Sequence, residues 1–314
     1  MSSVETVLGK IDTKDFGVTL IHEHIVASDW NQKICLQGFV DYDKVSDEVA
    51  QNLIEMKEKY NITTYGDLTP WSLGRDVRLL EKIAQKAGVN ILCVTGVYAD
   101  DQPYFRGVSE DTLVKLFLKD VYEGMEGSKI KPSAVKCATD EKGVTNQNKT
   151  LLNACARVAK ESGLPIFTHT FPHNGCGLIQ QNIFERHGVD LHKVVIGHCG
   201  DSNDIDYIEK ILKRGSYVGL DRFGQDKHNS FENRMKTLMT LLDRGWMDQI
   251  ILSHDHLVYC TNDVYEVKKS SHKRNPGSDL SYIHKNVLPV LRKKGFGKDD
   301  IDTMLIKNPA RIFE

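Results

Sequence analysis

The sequence predicts an α/β protein folded as a (β/α)8 TIM barrel, and three observations support this prediction. Eight short apolar runs rich in β-branched residues follow one another, amphipathic stretches separate them, and no linker or low-complexity segment divides the series. Continuous apolar runs are typical of parallel strands covered on both faces. Eight strand–helix units with right-handed crossovers can close into a barrel, whereas a doubly wound open sheet is the competing architecture.

The predicted strands are too short for typical helices, and their β-branched residues favour the extended conformation. They are 18–24, 62–68, 90–98, 133–140, 164–170, 193–200, 216–224 and 249–256.

The stretches between these runs carry apolar residues about every 3.6 positions, which predicts amphipathic helices. The clearest are 43–59 and 147–161, and the others lie near 76–87, 110–124, 178–187, 204–214, 231–244 and 280–293. Four glycines stand just before strands, where helix C-caps are expected. They are Gly163, Gly188, Gly215 and Gly245.

Length and composition indicate a globular enzyme with a single domain, residues 1–314. Two ordinary domains would fit 314 residues, but nothing in the chain resembles a linker. Hydrophobic residues make up 40% and charged residues 27%, and a net charge of −2 provides no basic footprint for nucleic acid. The chain has no apolar run of about 18 residues and no signal-peptide core, so we expect a cytoplasmic protein without a membrane partner. Seven irregularly spaced cysteines indicate reduced thiols.

Polar residues occur at the C-terminal ends of several predicted strands, and in a barrel these ends open onto one face. The candidates for metal ligation are His22, His24, Lys136, His169, His198 and Asp255. Residues i and i+2 of a strand point to the same side, so His22 and His24 can bind one ion while Glu23 points away. Imidazole and carboxylate ligands suit zinc and related divalent ions. The alternative for the HEH segment alone is an inert, hydrogen-bonded strand end.

Lys136 stands inside the apolar segment SAVKCATD, where an unpaired ammonium is costly. One interpretation is a core ion pair with Asp140 or Asp67. The other is a lysine that burial and nearby metal charge keep neutral, so that it takes up CO₂ and becomes a carbamate able to bridge two cations.

The chain resembles the phosphotriesterase family of the amidohydrolase superfamily, and most closely its phosphotriesterase-like lactonases. The segments TLIHEH, VKCATD, VVIGHCGDS, GLDRFG, LSHD and NPARIFE occur in family order over nearly the whole length. The resemblance implies a binuclear centre. His22, His24 and Asp255 match the ligands of the more buried ion, and His169 and His198 match those of the more exposed ion. Lys136 matches the carboxylated, bridging lysine. Zinc is the expected metal, with cobalt, iron or manganese as alternatives.

The resemblance also implies hydrolysis by a metal-bridging hydroxide, with Asp255 accepting the proton. Tyr98 and Arg222 resemble residues that lactonases of the family place around the lactone ring, so we expect a lactonase with promiscuous phosphotriesterase activity. Acyl-homoserine lactones and sugar lactones, including phosphorylated ones, are candidate substrates. The alternative functions are a phosphotriesterase proper and a non-catalytic ligand-binding barrel. The alternative role of Arg222 is to pair with a carboxylate such as Asp221 or Asp226 and hold the loop. Family precedent implies a homodimer.

Several positions have less specific expectations. His254 is expected to support the site from behind, and Cys199 and Asp201 to be structural. The segment 171–177 does not align clearly with the close relatives, and the long segment 257–280 lies where a loop shapes the substrate pocket in the family. The sequence does not give the physiological substrate, the native metal or the oligomeric state. The segment 257–280 contains a run of basic residues, which are Lys268, Lys269, His272, Lys273 and Arg274. Such a run is either a solvated loop or a positively charged surface that attracts an anionic substrate.

Overall fold

The computed structural model describes residues 2–28, 35, 38, 40–99, 105–260 and 279–314. A short antiparallel hairpin, β1 (Ser3–Thr6) and β2 (Gly9–Asp12), precedes a parallel sheet of nine strands. The sheet consists of β3 (Val18–Ala27), β4 (Ile62–Asp67), β5 (Asn90–Gly96), β6 (Ala134–Ala138), β7 (Ile166–His169), β8 (Val194–Ile196), β9 (Tyr217–Leu220), β10 (Ile250–Leu252) and β11 (Leu257–Cys260). Strands β3 to β10 pair in chain order, and each falls inside or overlaps one of the eight predicted runs.

The sheet closes on itself where the chain leaves β10. The Asp255 amide donates to the carbonyl of His22 at 2.9 Å, and the His24 amide donates to the carbonyl of His256 at 2.9 Å. Strand β3 is therefore bonded to β4 on one side and, on the other, to the segment that follows β10 and to β11. The predicted TIM barrel is confirmed, and the open-sheet alternative is wrong.

Helices cover the outside of the barrel as the amphipathic stretches predicted. They are α1 (Tyr42–Tyr60), α2 (Val77–Ala87), α3 (Glu110–Glu123), α4 (Asn146–Ser162), α5 (Cys176–Arg186), α6 (Ile205–Leu212), α7 (Phe231–Asp243), α8 (Leu288–Lys293), α9 (Lys298–Asp302) and α10 (Asn308–Arg311). Side-chain hydrogen bonds cap the N-termini of several helices. At the N-terminus of α4, Thr145 and Asn148 form a reciprocal capping box. Gly163 ends α4 with a φ of 75°, a left-handed conformation that glycine adopts without steric cost.

Four features were not predicted. The short helices α9 and α10 lie beyond the last predicted amphipathic stretch, 280–293. The hairpin β1–β2 lacks a long apolar run, and β11 lies in the segment that we expected to be a loop. The segment 171–177 contains a single helical turn, Pro172–Asn174, and the first residues of α5. The basic run at 268–274 lies outside the described residues.

Two apolar clusters place the polar site at one end of the barrel. The larger cluster lies between strands and helices, and the smaller fills the barrel interior with residues such as Ile21, Val94, Ala134 and Phe167. Lys136 follows Ala134 by two positions on the same face of β6, so the interior becomes polar towards the strand ends. All seven cysteines are free thiols, as predicted. None of the helices in the described ranges is long and apolar enough to cross a membrane.

Candidate metal centre

The six predicted metal ligands converge at the C-terminal mouth of the barrel. His22 and His24 lie in β3, Lys136 in β6 and His169 at the end of β7, while His198 and Asp255 follow β8 and β10. Five of the six line a cavity of about 240 Å³, and His198 lies directly behind it. Positions separated by more than 200 residues therefore meet, as the fold prediction required.

One group of side chains surrounds a carboxylate oxygen of Asp255. Its Oδ1 lies 3.1 Å from Nε2 of His24 and 3.6 Å from Nε2 of His22. Nζ of Lys136 lies 3.0 Å from Nε2 of His22. His22, His24 and Asp255 are the set assigned to the more buried ion, and Lys136, the proposed bridging residue, lies beside them.

A second group lies on the other side of Asp255. Nδ1 of His169 and Nε2 of His198 approach to 2.7 Å, and Oδ2 of Asp255 lies 3.9 Å from that same His198 nitrogen. One ligand atom each from His22, His198 and Asp255 lie within 4.8 Å of one another, which is close enough to hold an ion. The two groups are therefore adjacent and share the Asp255 carboxylate.

Backbone strain marks the same place. Among the described residues, four that are not glycine have a positive φ, and two of these are His198 (62°) and Asp255 (52°). Such conformations cost about 1–3 kcal/mol and persist where the surroundings enforce them, often at functional sites. The strain is therefore concentrated on two of the proposed ligands.

Asp221 is the functional residue that the sequence interpretation missed. Its fully buried carboxylate accepts from Nδ1 of His22 at 2.6 Å, from Nδ1 of His198 at 2.9 Å and from the His198 amide at 2.9 Å. These bonds place a proton on each Nδ1 and leave each Nε2 lone pair directed into the site. Thr69 serves His24 in the same way, with Oγ1 2.8 Å from Nδ1.

Burial lowers the pKa of three of the nitrogen ligands, His22, His169 and Lys136. It lowers the pKa of His22 to about 4, with the charge of Lys136 acting in the same direction. It lowers the pKa of His169 to about 3, with His198 adding to the effect. Burial also lowers the pKa of Lys136 to about 8. Neutral imidazoles and a readily neutral amine are donors that a divalent cation requires.

Neither carboxylate suggested as an ion-pair partner of Lys136 reaches it. Asp140 faces Nε2 of His169 at 3.5 Å, and Asp67 accepts from the backbone amides of Ile25 and Val26. The ion-pair interpretation of Lys136 is therefore wrong. Its nearest polar partner is His22, a proposed metal ligand.

Known proteins similar to this chain identify its family. The model of the phosphotriesterase family matches residues 2–313. The chain belongs to the phosphotriesterase family. It is 37% identical to a phosphotriesterase homology protein of Mycobacterium tuberculosis, in an alignment covering 100% of this chain and 98% of the relative. It is 36% identical to an aryldialkylphosphatase of Saccharolobus solfataricus, covering 96% of each chain. The solved structure of the phosphotriesterase from Mycobacterium tuberculosis superposes with a TM-score of 0.90, at 35% identity over 99% of this chain and 98% of that one.

Two further predicted residues of this phosphotriesterase-family hydrolase line the same cavity. The Tyr98 hydroxyl lies 3.2 Å from Nε2 of His169, and the two rings meet edge to face. Nε of Arg222 donates to Oδ2 of Asp255 at 2.8 Å, and Nη1 donates to Oδ2 of Asp201 at 2.7 Å. Arg222 therefore pairs with carboxylates, as the alternative interpretation expected, but with Asp255 and Asp201 instead of the suggested Asp221 or Asp226.

Two buried carboxylates, those of Glu23 and Asp201, hydrogen-bond to the segments that surround the site. Glu23 points away from the ligands, as predicted, and accepts from Ser253 Oγ, from the backbone of His254 and His256, and from Nδ1 of His254. His254 therefore supports the Asp255 segment from behind. Asp201 joins Arg222 to the buried Arg234 at 2.7 Å, which agrees with the structural role expected of it.

Proposed function

We propose that this family member is a metal-dependent lactonase with two divalent ions per chain and phosphotriester hydrolysis as a side activity. The observation that carries the proposal is the convergence of six potential ligands whose donor atoms face one another, two of them oriented by Asp221. His22, His24 and Asp255 would hold the buried ion, His169 and His198 the exposed ion, and carboxylated Lys136 both. Zinc is the expected metal, and cobalt, iron and manganese are alternatives.

The setting of Lys136 supports its carboxylation. The side chain is 1% exposed, and its pKa of about 8 leaves roughly a tenth of the amine neutral at pH 7, which is the form that adds CO₂. The resulting carbamate would present two oxygens beside His22, whereas the free amine offers one lone pair.

Divalent ions at such a site lower the pKa of water and polarise a substrate carbonyl or phosphoryl oxygen. Asp255 is suited to receive the proton at Oδ1, because Oδ2 is already bonded to Arg222. Burial opposes its ionisation, but Arg222 together with His198, His24 and His22 keeps the Asp255 pKa well below its usual range. Asp255 is therefore a carboxylate in the resting enzyme.

Tyr98 and Arg222 support a lactone as the preferred substrate. Arg222 has five N–H donors, and its hydrogen bonds to Asp255 and Asp201 use Nε and Nη1, so donors of the guanidinium fork remain for a ring oxygen or carbonyl. The Tyr98 hydroxyl supplies a second donor beside His169.

The test compares kcat/KM for a panel of lactones and for paraoxon in wild type, Arg222→His and Arg222→Lys. We expect the wild type to prefer lactones and Arg222→His to lose about ten- to a hundredfold more on lactones than on paraoxon, the value of one charge-assisted hydrogen bond. Arg222→Lys keeps the charge but not the fork. If the wild type prefers paraoxon, or both activities fall in parallel, the lactonase proposal is wrong.

The second candidate is phosphotriester hydrolysis as the main activity. It is favoured by the name of the relative from Saccharolobus solfataricus, an aryldialkylphosphatase at 36% identity. A non-catalytic barrel is disfavoured, because all six ligand positions carry donor groups. We also propose a homodimer, since two-fold symmetry is the commonest assembly, and light scattering tests it.

A further inference from the structure

We propose that Glu23 is a positioning residue of the metal centre, whose carboxylate holds Asp255 in the left-handed backbone conformation that directs the Asp255 side chain toward the histidines. Glu23 lies between His22 and His24 in β3, but neighbouring side chains of a strand point to opposite faces, so Glu23 does not reach the ions itself. The inference rests on the proposed metal-dependent function for its effect on ion binding, and on the geometry of the chain for its effect on Asp255.

The backbone conformation of Asp255 requires a restraint. Its φ of 52° lies in the left-handed region, which a residue with a side chain keeps only where the surroundings enforce it. Arg222 bonds to Oδ2 of Asp255 and so restrains the end of the side chain rather than the backbone. The backbone is restrained by the amides of its own segment, which bond to β3.

Three consecutive amides, those of His254, Asp255 and His256, donate to β3. The His254 amide donates to Oε1 of Glu23 at 3.0 Å, and the His256 amide donates to Oε2 at 2.8 Å. The Asp255 amide between them donates to the carbonyl of His22 at 2.9 Å. Successive amides that turn to one side form a concave anion site, and here the carboxylate of Glu23 fills it. One carboxylate thus fixes the amides of the residues before and after Asp255.

Two side-chain donors complete the surroundings of the Glu23 carboxylate. Oγ of Ser253 donates to Oε1 at 2.8 Å and accepts from the His22 amide at 3.0 Å, which joins β3 to the end of β10. Nδ1 of His254 also donates to Oε1 at 2.8 Å, because its Nε2 accepts from the Ile283 amide. Glu23 is fully buried, and no lysine or arginine in the described ranges pairs with it. Its charge is therefore held by N–H and O–H donors of the segment that follows β10.

Glutamine at position 23 keeps the shape of this side chain but not its hydrogen bonds. Three donors meet Oε1 of Glu23, and one donor, the His256 amide, meets Oε2. The carbonyl oxygen of glutamine can take the place of Oε1, but its NH₂ group then faces the His256 N–H, so that two donors oppose each other. Asp255 thereby loses the restraint on its C-terminal side, and we expect its backbone to relax to an ordinary conformation.

The experiment applies two measurements to wild type and Glu23→Gln. Crystal structures of the chelator-treated proteins give the backbone conformation of Asp255, and titration with cobalt against a competing chelator gives the affinity for each ion. In the variant we expect φ of Asp255 to become negative and its Oδ1 to move away from Nε2 of His24, from which it is separated by 3.1 Å. At least one ion should then bind about ten- to a hundredfold more weakly, as is typical when the support of a metal ligand is lost.

Glu126→Gln is the matched control, because it makes the same chemical change at another carboxylate. Glu126 accepts from Nε of Arg75 and from the Val77 amide, and neither of these residues lines the metal-site cavity. This variant should have a lower melting temperature, while the conformation of Asp255 and the affinity for cobalt stay as in wild type.

The outcomes separate this inference from the proposed function. A left-handed Asp255 in Glu23→Gln, a wild-type cobalt affinity of that variant, or an equal loss of affinity in Glu126→Gln overturns the positioning role. If wild type binds no cobalt, the metal-dependent function is wrong, and the conformation of Asp255 in the metal-free structures alone decides the role of Glu23.

A second variant decides if Glu23→Gln does not fold. Ser253→Ala removes one donor to Glu23 together with the acceptor of the His22 amide, and leaves the carboxylate in place. It should weaken cobalt binding about two- to tenfold, the value of one ordinary hydrogen bond. A wild-type affinity of Ser253→Ala then overturns the inference.

Discussion

Replacing Asp221 with asparagine exchanges one carboxylate oxygen for an amide nitrogen where both oxygens are needed. One oxygen accepts from His22 at 2.6 Å and the other from His198 at 2.9 Å, and these histidines belong to different proposed ions. An asparagine can accept from one imidazole only. The Nδ1–H of the other imidazole then faces the asparagine NH₂ group, which is itself a donor. That imidazole either loses its hydrogen bond or moves its proton to Nε2, where the proton blocks ion binding.

The size of the effect follows from these two routes. A buried donor without an acceptor costs about 1–3 kcal/mol, and loss of the partner that orients a metal-binding histidine typically costs ten- to a hundredfold in metal affinity. We therefore expect Asp221→Asn to bind at least one ion ten- to a hundredfold more weakly. The assay is titration of chelator-treated protein with zinc or cobalt against a competing chelator, with melting temperature measured in parallel.

Asp120→Asn is the matched control. Asp120 is also buried, and its Oδ2 accepts from Arg75, Trp71 and Thr95 away from the histidines. This variant should lose stability but bind metal like wild type. If Asp221→Asn binds both ions with wild-type affinity, Asp221 does not orient the ligands and the proposed geometry is refuted.

Three further predictions concern the same centre. Lys136→Ala should abolish activity, and a short-chain carboxylic acid should partly restore it by supplying a bridge; a fully metallated site with a bare lysine amine in an experimental structure would contradict carboxylation. Tyr98→Phe should reduce lactone turnover more than paraoxon turnover without lowering the melting temperature, and equal losses would remove Tyr98 from substrate selection. Burial lowers the pKa values of His22 and His169 from 6.5 to about 4 and about 3, so the unfolded chain binds more protons below pH 6.5. Stability of the metal-free protein should therefore fall as pH decreases from 6.5 to 4.5, by up to about 1.4 kcal/mol per pH unit for each histidine, and a melting temperature that is constant over this range would contradict the prediction.

The barrel and the residues at its mouth could be predicted from the sequence, because both follow from the pattern of apolar strand runs with polar residues at their ends. A run such as KVVIGHCG defines a strand and also places His198 just beyond its end. Once eight such units close, their C-terminal ends must meet. Asp221 follows β9 in the same way, so the same rule would have identified it. It was considered only as a partner of Arg222.

Side-chain partners were less predictable. Arg222 bonds to Asp255 and Asp201, which lie 33 and 21 positions away in the chain, rather than to its neighbours. That choice depends on rotamers and on the left-handed backbone at Asp255, which no local pattern encodes. Strand β11 was missed because its four residues form the start of a longer segment, 257–280, whose remaining composition is loop-like.

The central claim is a centre of two ions, and metal content tests it most directly. Protein purified without chelator, or reconstituted with zinc or cobalt, should contain about two divalent ions per chain by elemental analysis. His22→Ala and His198→Ala should each bind less than wild type. A wild-type content below one ion per chain after reconstitution would contradict the account.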